Sequence, residues 1–205
     1  MDQSKVPFII YAESTPNPAT IKFVANKMML PASSYESNDP NDNDASPLAQ
    51  ELFNFSFVKS IYITNNFISV TKTESIGWDD IVQQVREYIA DYLNKGGKVM
   101  KDDKVTEQEK TESTNEFTSI NEHKEPQNDT EKNIIAILDE YVKPSVESDG
   151  GSILFDSYEE GKVNLILKGA CSGCPSSTMT LKSGVENLLK QMMPEDIKEV
   201  IALNG

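Results

Sequence analysis

Residues 162–181 read Lys162-Val163-Asn164-Leu165-Ile166-Leu167-Lys168-Gly169-Ala170-Cys171-Ser172-Gly173-Cys174-Pro175-Ser176-Ser177-Thr178-Met179-Thr180-Leu181. The stretch opens as a β-rich apolar run and changes character at Gly169. Pro175 then suits a first helical position, where the missing N–H is one the helix leaves unpaired anyway. Leu181, Val185, Leu188, Leu189 and Met192 recur at intervals of three and four, which predicts a helix with one buried face, closed by Pro194. Both cysteines of the chain therefore fall on a strand-to-helix turn. Working outward, residues 152–158 form a strand joined to residues 162–167 by the turn Glu159-Glu160-Gly161. A helix with the apolar face Ile134, Ile135, Leu138, Tyr141 and Val142 precedes them and is expected to end near Pro144, and residues 198–203 supply a last strand. The order αββαβ predicts a small α+β sandwich with helices on one face of its sheet.

Upstream, residues 8–13, 20–24 and 28–30 read as strands, with the tight turn Thr15-Pro16-Asn17-Pro18 between the first two. Residues 33–47 are crowded with Ser, Asn, Asp and Pro and are expected to form a loop. A short helix over 48–53 and a hairpin over 58–70, turning at Asn65-Asn66, follow. Trp78, Ile81, Val82, Val85, Ile89, Tyr92 and Leu93 mark an amphipathic helix, stopped by Gly96-Gly97. Residues 95–130 turn to Lys, Glu, Asp, Thr, Ser and Asn, too polar to offset the entropy of ordering. The fold class is thus α+β: two small α/β-sandwich domains, residues 1–94 and 131–205, joined by a flexible acidic linker over 95–130.

The chain has 205 residues and a net charge of −14, with 19 Lys and Arg against 33 Asp and Glu. A surface of that sign does not neutralise phosphates, so nucleic acid is excluded as a partner. No apolar run approaches the roughly 20 residues that cross a bilayer. The opening Met1-Asp2-Gln3-Ser4-Lys5 carries neither a signal peptide nor an Arg-rich transit pattern, and leads to the expectation of a cytoplasmic, bacterial protein.

Two cysteines at C-x-x-C spacing make no disulfide framework, and leave dithiol redox chemistry, iron–sulfur binding, zinc binding or inert thiols as readings. Near the positive end of the following helix both thiols are expected to favour thiolate, and as loop groups to add little to the core. A thioredoxin-like site would sit in a β-α-β unit; here two strands read as a hairpin and Gly169-Ala170 precede the first cysteine. A complete zinc or cluster site needs about four ligands. This chain offers Cys171, Cys174 and a distant His123, expected to be solvated in the linker. Two copies meeting at their C-x-x-C loops would supply four thiolates, and Gly169, Ala170, Ser172 and Gly173 are small enough to let them meet. Gly150-Gly151 reads first as a turn, with a contact to the cysteine loop as the alternative.

The run Gly169 to Lys182, preceded by Val146-Glu147-Ser148-Asp149-Gly150-Gly151, closely resembles the C-terminal domain of the NifU (Nfu) family. Glu13-Ser14-Thr15-Pro16-Asn17-Pro18, Ile21-Lys22-Phe23, Ser46-Pro47-Leu48-Ala49 and Asn66-Phe67-Ile68-Ser69-Val70-Thr71-Lys72 resemble the Nfu N-terminal domain. The resemblance implies a scaffold or carrier, not an enzyme, that holds a [4Fe–4S] cluster, with [2Fe–2S] as the alternative. Cys171 and Cys174 of each of two chains would be its metal ligands. It further implies a homodimer when loaded, upstream cluster assembly proteins as donors and apo iron–sulfur proteins as acceptors. A dithiol oxidoreductase using Cys171 and Cys174 is the competing reading.

Overall fold

The computed structural model describes residues 6–41, 45–101, 123–172 and 175–204. In the first half, β1 (Ile10–Ser14), β2 (Thr20–Ala25), β3 (Leu30–Ser37), β4 (Val58–Asn65) and β5 (Phe67–Lys72) form one antiparallel sheet of order β1-β2-β5-β4-β3. Helices α1 (Pro47–Phe53) and α2 (Trp78–Asn94) cover one face. Leu48 and Leu52 of α1 and Val85 and Ile89 of α2 share a single apolar cluster with Phe23, Ile61, Ile63, Ile68 and Val70. Pro47 starts α1 behind the Ser46 hydroxyl, which accepts the Ala49 N–H at 3.1 Å and donates to the Val99 carbonyl at 2.6 Å. That second bond, with Lys101 N–H to the Ala45 carbonyl at 2.8 Å, folds the chain after α2 back onto α1.

The loop expected over 33–47 is corrected: its first five residues belong to β3, paired with β4 from Ser34↔Thr64 to Ser37↔Ile61. The strand was hidden because it lies at a sheet edge and only Tyr35 packs against the apolar cluster from that stretch. Its polar alternates point to the opposite face.

In the second half, β6 (Gly151–Glu159), β7 (Lys162–Gly169) and β8 (Glu199–Asn204) form a three-stranded sheet in that order, β6 antiparallel and β8 parallel to β7. Helices α3 (Asp129–Ile137), α4 (Lys143–Ser148) and α5 (Pro175–Met192) lie over one face, where Ile134, Leu138 and Val146 meet Ile153, Phe155, Leu165, Val185 and Leu189. The helix expected to end near Pro144 does not end there. A π-helical turn, Leu138–Val142, joins α3 to α4, and Pro144 falls in the first turn of α4, where a missing N–H costs little.

His123 is likewise corrected from a solvated side chain to a docked one, 9% exposed. Its Nδ1 accepts the Phe155 N–H at 2.8 Å, its Nε2 lies 3.1 Å from Asp139 Oδ1, and the neighbouring Lys124 N–H reaches the Phe155 carbonyl at 3.0 Å. β6 is an edge strand, and these bonds pair its otherwise free backbone groups at Phe155. Residues 102–122, the middle of the expected linker, lie outside the described residues.

Candidate functional site: the cysteine loop

Strand β7 ends at Gly169, whose φ of +64° turns the chain sharply away from the sheet. The turn closes through Ser172, whose N–H and hydroxyl both donate to the Gly169 carbonyl, at 3.1 and 2.9 Å. The Thr178 hydroxyl, one turn into α5, holds the Cys171 carbonyl at 3.1 Å. Cys171 is thereby fixed between the end of β7 and the start of α5, with its thiol turned toward the sheet. Gly173 and Cys174 lie outside the described residues.

Cys171 is 7% exposed and belongs to the apolar cluster of the second half, so the expectation that it adds little to the core is corrected. Burial pushes its thiol up to about 12, and the Asp149 carboxylate adds to the shift. Thiolate is thus disfavoured in this state, against the expectation drawn from the helix end: lost solvation outweighs what a helix terminus supplies. The thiol borders a cavity of about 580 Å³ lined by Tyr141, Asp149, Leu181 and Leu188 and, from the first half of the chain, Pro16. Gly151 sets how closely the thiol approaches β6, since a Cβ there would lie 2.6 Å from Cys171 Sγ. Gly150, at φ +81°, makes the turn expected of the pair, while Gly151 makes the alternative contact with the loop.

Residues of the first half surround this loop. Asn17, buried in the turn after β1, donates from Nδ2 to the Ala170 carbonyl at 3.3 Å. Glu36 Oε1 accepts the Gly169 N–H at 2.9 Å. Burial pushes the Glu36 carboxyl above its usual range, although the Gly169 N–H, Lys168 and the Ser172 hydroxyl act the other way. These contacts are not legible in the sequence, where Asn17 reads as a turn residue and Glu36 falls within the loop expected over 33–47. Among the described residues no group of three or more His, Cys, Asp or Glu is placed to hold a metal ion. No described helix is long and apolar enough to cross a membrane.

The chain thus combines an α/β unit with helices packed on a five-stranded sheet and a second unit whose cysteine loop joins strand to helix. The description "Scaffold protein Nfu/NifU N terminal" matches residues 10–96, and "NifU-like domain" matches residues 134–201. The chain belongs to the Nfu/NifU family of iron–sulfur cluster scaffold proteins. The human protein named NFU1 iron-sulfur cluster scaffold homolog, mitochondrial, is 31% identical over 187 residues, covering 91% of this chain and 68% of its own length. The Drosophila sechellia protein of the same name is 35% identical over 187 residues, 91% of this chain and 62% of its own. NifU-like protein 5, mitochondrial, of Arabidopsis thaliana is 32% identical over 197 residues, 95% and 68%. The chain thus spans 62% to 68% of the length of these three relatives. A solution structure of a NifU-like protein from Saccharomyces cerevisiae matches 50% of this chain and 92% of its own, at 24% identity and a TM-score of 0.42.

These relatives overturn the expectation of a bacterial cytoplasmic protein, since they carry mitochondrial names in two animals and a plant. The five residues on which that expectation rested are no measure of compartment.

Proposed function

We propose that this chain carries an iron–sulfur cluster as cargo, a [4Fe–4S] unit held between two copies by Cys171 and Cys174 of each. In this reading, clusters arrive from upstream assembly proteins and leave to apo iron–sulfur proteins, in mitochondria, with no catalytic turnover on the chain itself. The observation that carries the reading is the position of Cys171. It lies on a tight turn between β7 and α5, within a scaffold family, in a chain with two cysteines in all. One chain can supply two of the four thiolates that such a cluster takes, so a second copy completes the set. Thiolate ligands held by loops can be exchanged one at a time for those of an acceptor, which suits delivery. The dithiol oxidoreductase reading has less in its favour, because the cysteine loop follows the antiparallel hairpin of β6 and β7 rather than a β-α-β unit, and lies within the matched NifU-like domain.

Anaerobic reconstitution with iron and sulfide tests this. The expected product contains about four irons per two chains, absorbs broadly in the visible and is lost when either cysteine is replaced. Unchanged iron content in Cys171→Ala or Cys174→Ala would defeat the assignment. A colourless protein that reduces disulfides rapidly would favour the oxidoreductase.

A further inference from the structure

The antiparallel register aligns four polar side chains in one row across the five-stranded sheet: Lys22 of β2 opposite Ser69 of β5, Ser69 opposite Tyr62 of β4, and Tyr62 opposite Glu36 of β3. Their sequence neighbours Phe23, Ile61, Ile63, Ile68 and Val70 form the apolar cluster under the helices, so the row lies on the other face. An outer sheet face of this composition is ordinarily solvated. Here it is not: Ser69 is 1% exposed and Tyr62 2%.

Each member meets the second half of the chain. Lys22 Nζ donates to the Ser148 carbonyl at 3.1 Å, and Ser69 Oγ donates to the Gly150 carbonyl at 2.5 Å. Tyr62 lies beside Ser152, and Glu36 takes the Gly169 N–H. Three of these contacts are to main chain, and the approach depends on two glycines in left-handed conformation. A Cβ at Gly150 would lie 2.9 Å from Ser69 Oγ, and one at Gly169 would lie 2.8 Å from the Tyr62 ring.

We infer that the Lys22–Ser69–Tyr62–Glu36 row is a docking strip that closes the first half of the chain over the cysteine loop, and that the loop must leave it before meeting a second macromolecule. The strip and the Asn17 turn together contact Gly169, Ala170 and Ser172, three of the four residues from the end of β7 through the first cysteine turn. A second loop approaching Cys171 would compete for the same backbone. Polar contacts of this kind are individually modest, so the closed state is held reversibly rather than locked. A partner that binds only the released loop shifts the equilibrium toward opening by its preference for that form. The docking itself rests on the contacts between the two halves; only the identity of the competing macromolecule, a second cluster-ligating loop, rests on the carrier reading.

Two measurements on the full apo chain test it. Amide nitrogen relaxation of the wild-type protein is expected to give one tumbling time for residues around Ser69 and around Gly150. In a Cys174→Ser background, Cys171 is then labelled with a small maleimide and with one bearing a long polyethylene glycol chain. The ratio of the two rates isolates access for a large partner from the chemistry of the thiol. In Glu36→Ala/Ser69→Ala, and separately in Ser69→Leu, which places bulk against Gly150, the ratio is expected to shift toward the bulky reagent by about fivefold for each hydrogen bond removed. Separate tumbling times in the wild type would overturn the inference, as would an unchanged ratio in both variants with circular dichroism intact. Neither readout involves iron, so failure of the carrier reading would leave them standing.

Discussion

Cys171 Sγ packs against the bare α-carbon of Gly151 so closely that a Cβ at 151 would lie 2.6 Å from the sulfur and 2.8 Å from the Lys168 carbonyl oxygen. The second of these is backbone of the paired strand and cannot rotate aside, so the strain falls on the cysteine turn. Gly151→Ala is therefore expected to lose about 1–3 kcal/mol of stability, as over-packed core positions do. It should also lower the iron retained after reconstitution. Urea denaturation and iron analysis of the same preparation check both; wild-type stability would mean that the turn yields to the added methyl group.

Gly184 supplies the opposite case within the same neighbourhood. It lies inside α5 and borders the cavity beside Cys171, yet a Cβ there meets nothing within 4 Å. Gly184→Ala is expected to stabilise the protein by up to about 1 kcal/mol through helix propensity. A lower midpoint in the same urea titration would count against this.

Replacement of Cys171 separates its packing from its ligand role. Because the thiol is buried among apolar groups, Cys171→Ala should retain the fold at a cost of about 1 kcal/mol, for one small buried group. Cys171→Ser should cost more, since it buries a hydroxyl whose unmet hydrogen bond is worth about 1–3 kcal/mol. Both should bind no stable cluster. Equal stability of the two variants would show that the hydroxyl finds a partner.

Much of the architecture was legible because a single force wrote it. The three-and-four spacing from Trp78 to Leu93 and from Leu181 to Met192 reports helices with one buried face, and α2 and α5 follow it except at Met192, which is exposed while its neighbour Met193 is buried. The hairpin at Asn65-Asn66 was likewise visible, and Asn65 adopts a φ of +41°. β3 was not, because a strand whose outward residues face another part of the chain looks like a polar loop. For the same reason Lys22, Glu36, Tyr62 and Ser69 gave no sign of lying around the cysteine turn, since their grouping depends on register among four strands. Pro144 misled because a π-helical turn absorbs it. The thiol of Cys171 misled because proximity to a helix start is readable in sequence and burial is not.

Acidification tests the docking of His123. With Nδ1 accepting the Phe155 N–H, the ring presents its Nε2 hydrogen to Asp139. Partial burial acts to raise the Asp139 carboxyl, but hydrogen bonds from His123 and Lys143 outweigh it and hold it below its ordinary value. A carboxyl lowered in the folded state contributes stability above its unfolded value, and that contribution is lost as pH falls through the folded one. Asp139→Asn is expected to cost less than about 1 kcal/mol at neutral pH, the group being partly exposed. The difference from wild type should shrink below about pH 4. A difference that is constant down to acid pH would show that the carboxylate charge plays no part.

Coupling between cargo and assembly is the most exacting test of the carrier reading. The chain contains two cysteines, and a cube of four irons takes about four thiolates, so a loaded monomer would need two ligands from elsewhere. Shared between two chains, the cluster acts as a ligand that binds the dimer and not the monomer, and so stabilises the dimer by mass action. The apo protein is then expected to sediment as a monomer or weak associate, and the loaded protein as a dimer with one cluster. Cys171→Ala, which leaves each chain one thiol, should remain at the apo size under the same reconstitution. Mixing the loaded dimer with a cysteine-ligated apo acceptor should return this chain to its apo size as the acceptor gains visible absorbance, because each thiolate bond exchanged weakens the bridge for the next. Sedimentation velocity followed at both protein and cluster wavelengths reads size and cargo together. A loaded species that sediments as a monomer, or a dimer that keeps its cluster beside a competent acceptor, would rule out delivery from a shared site.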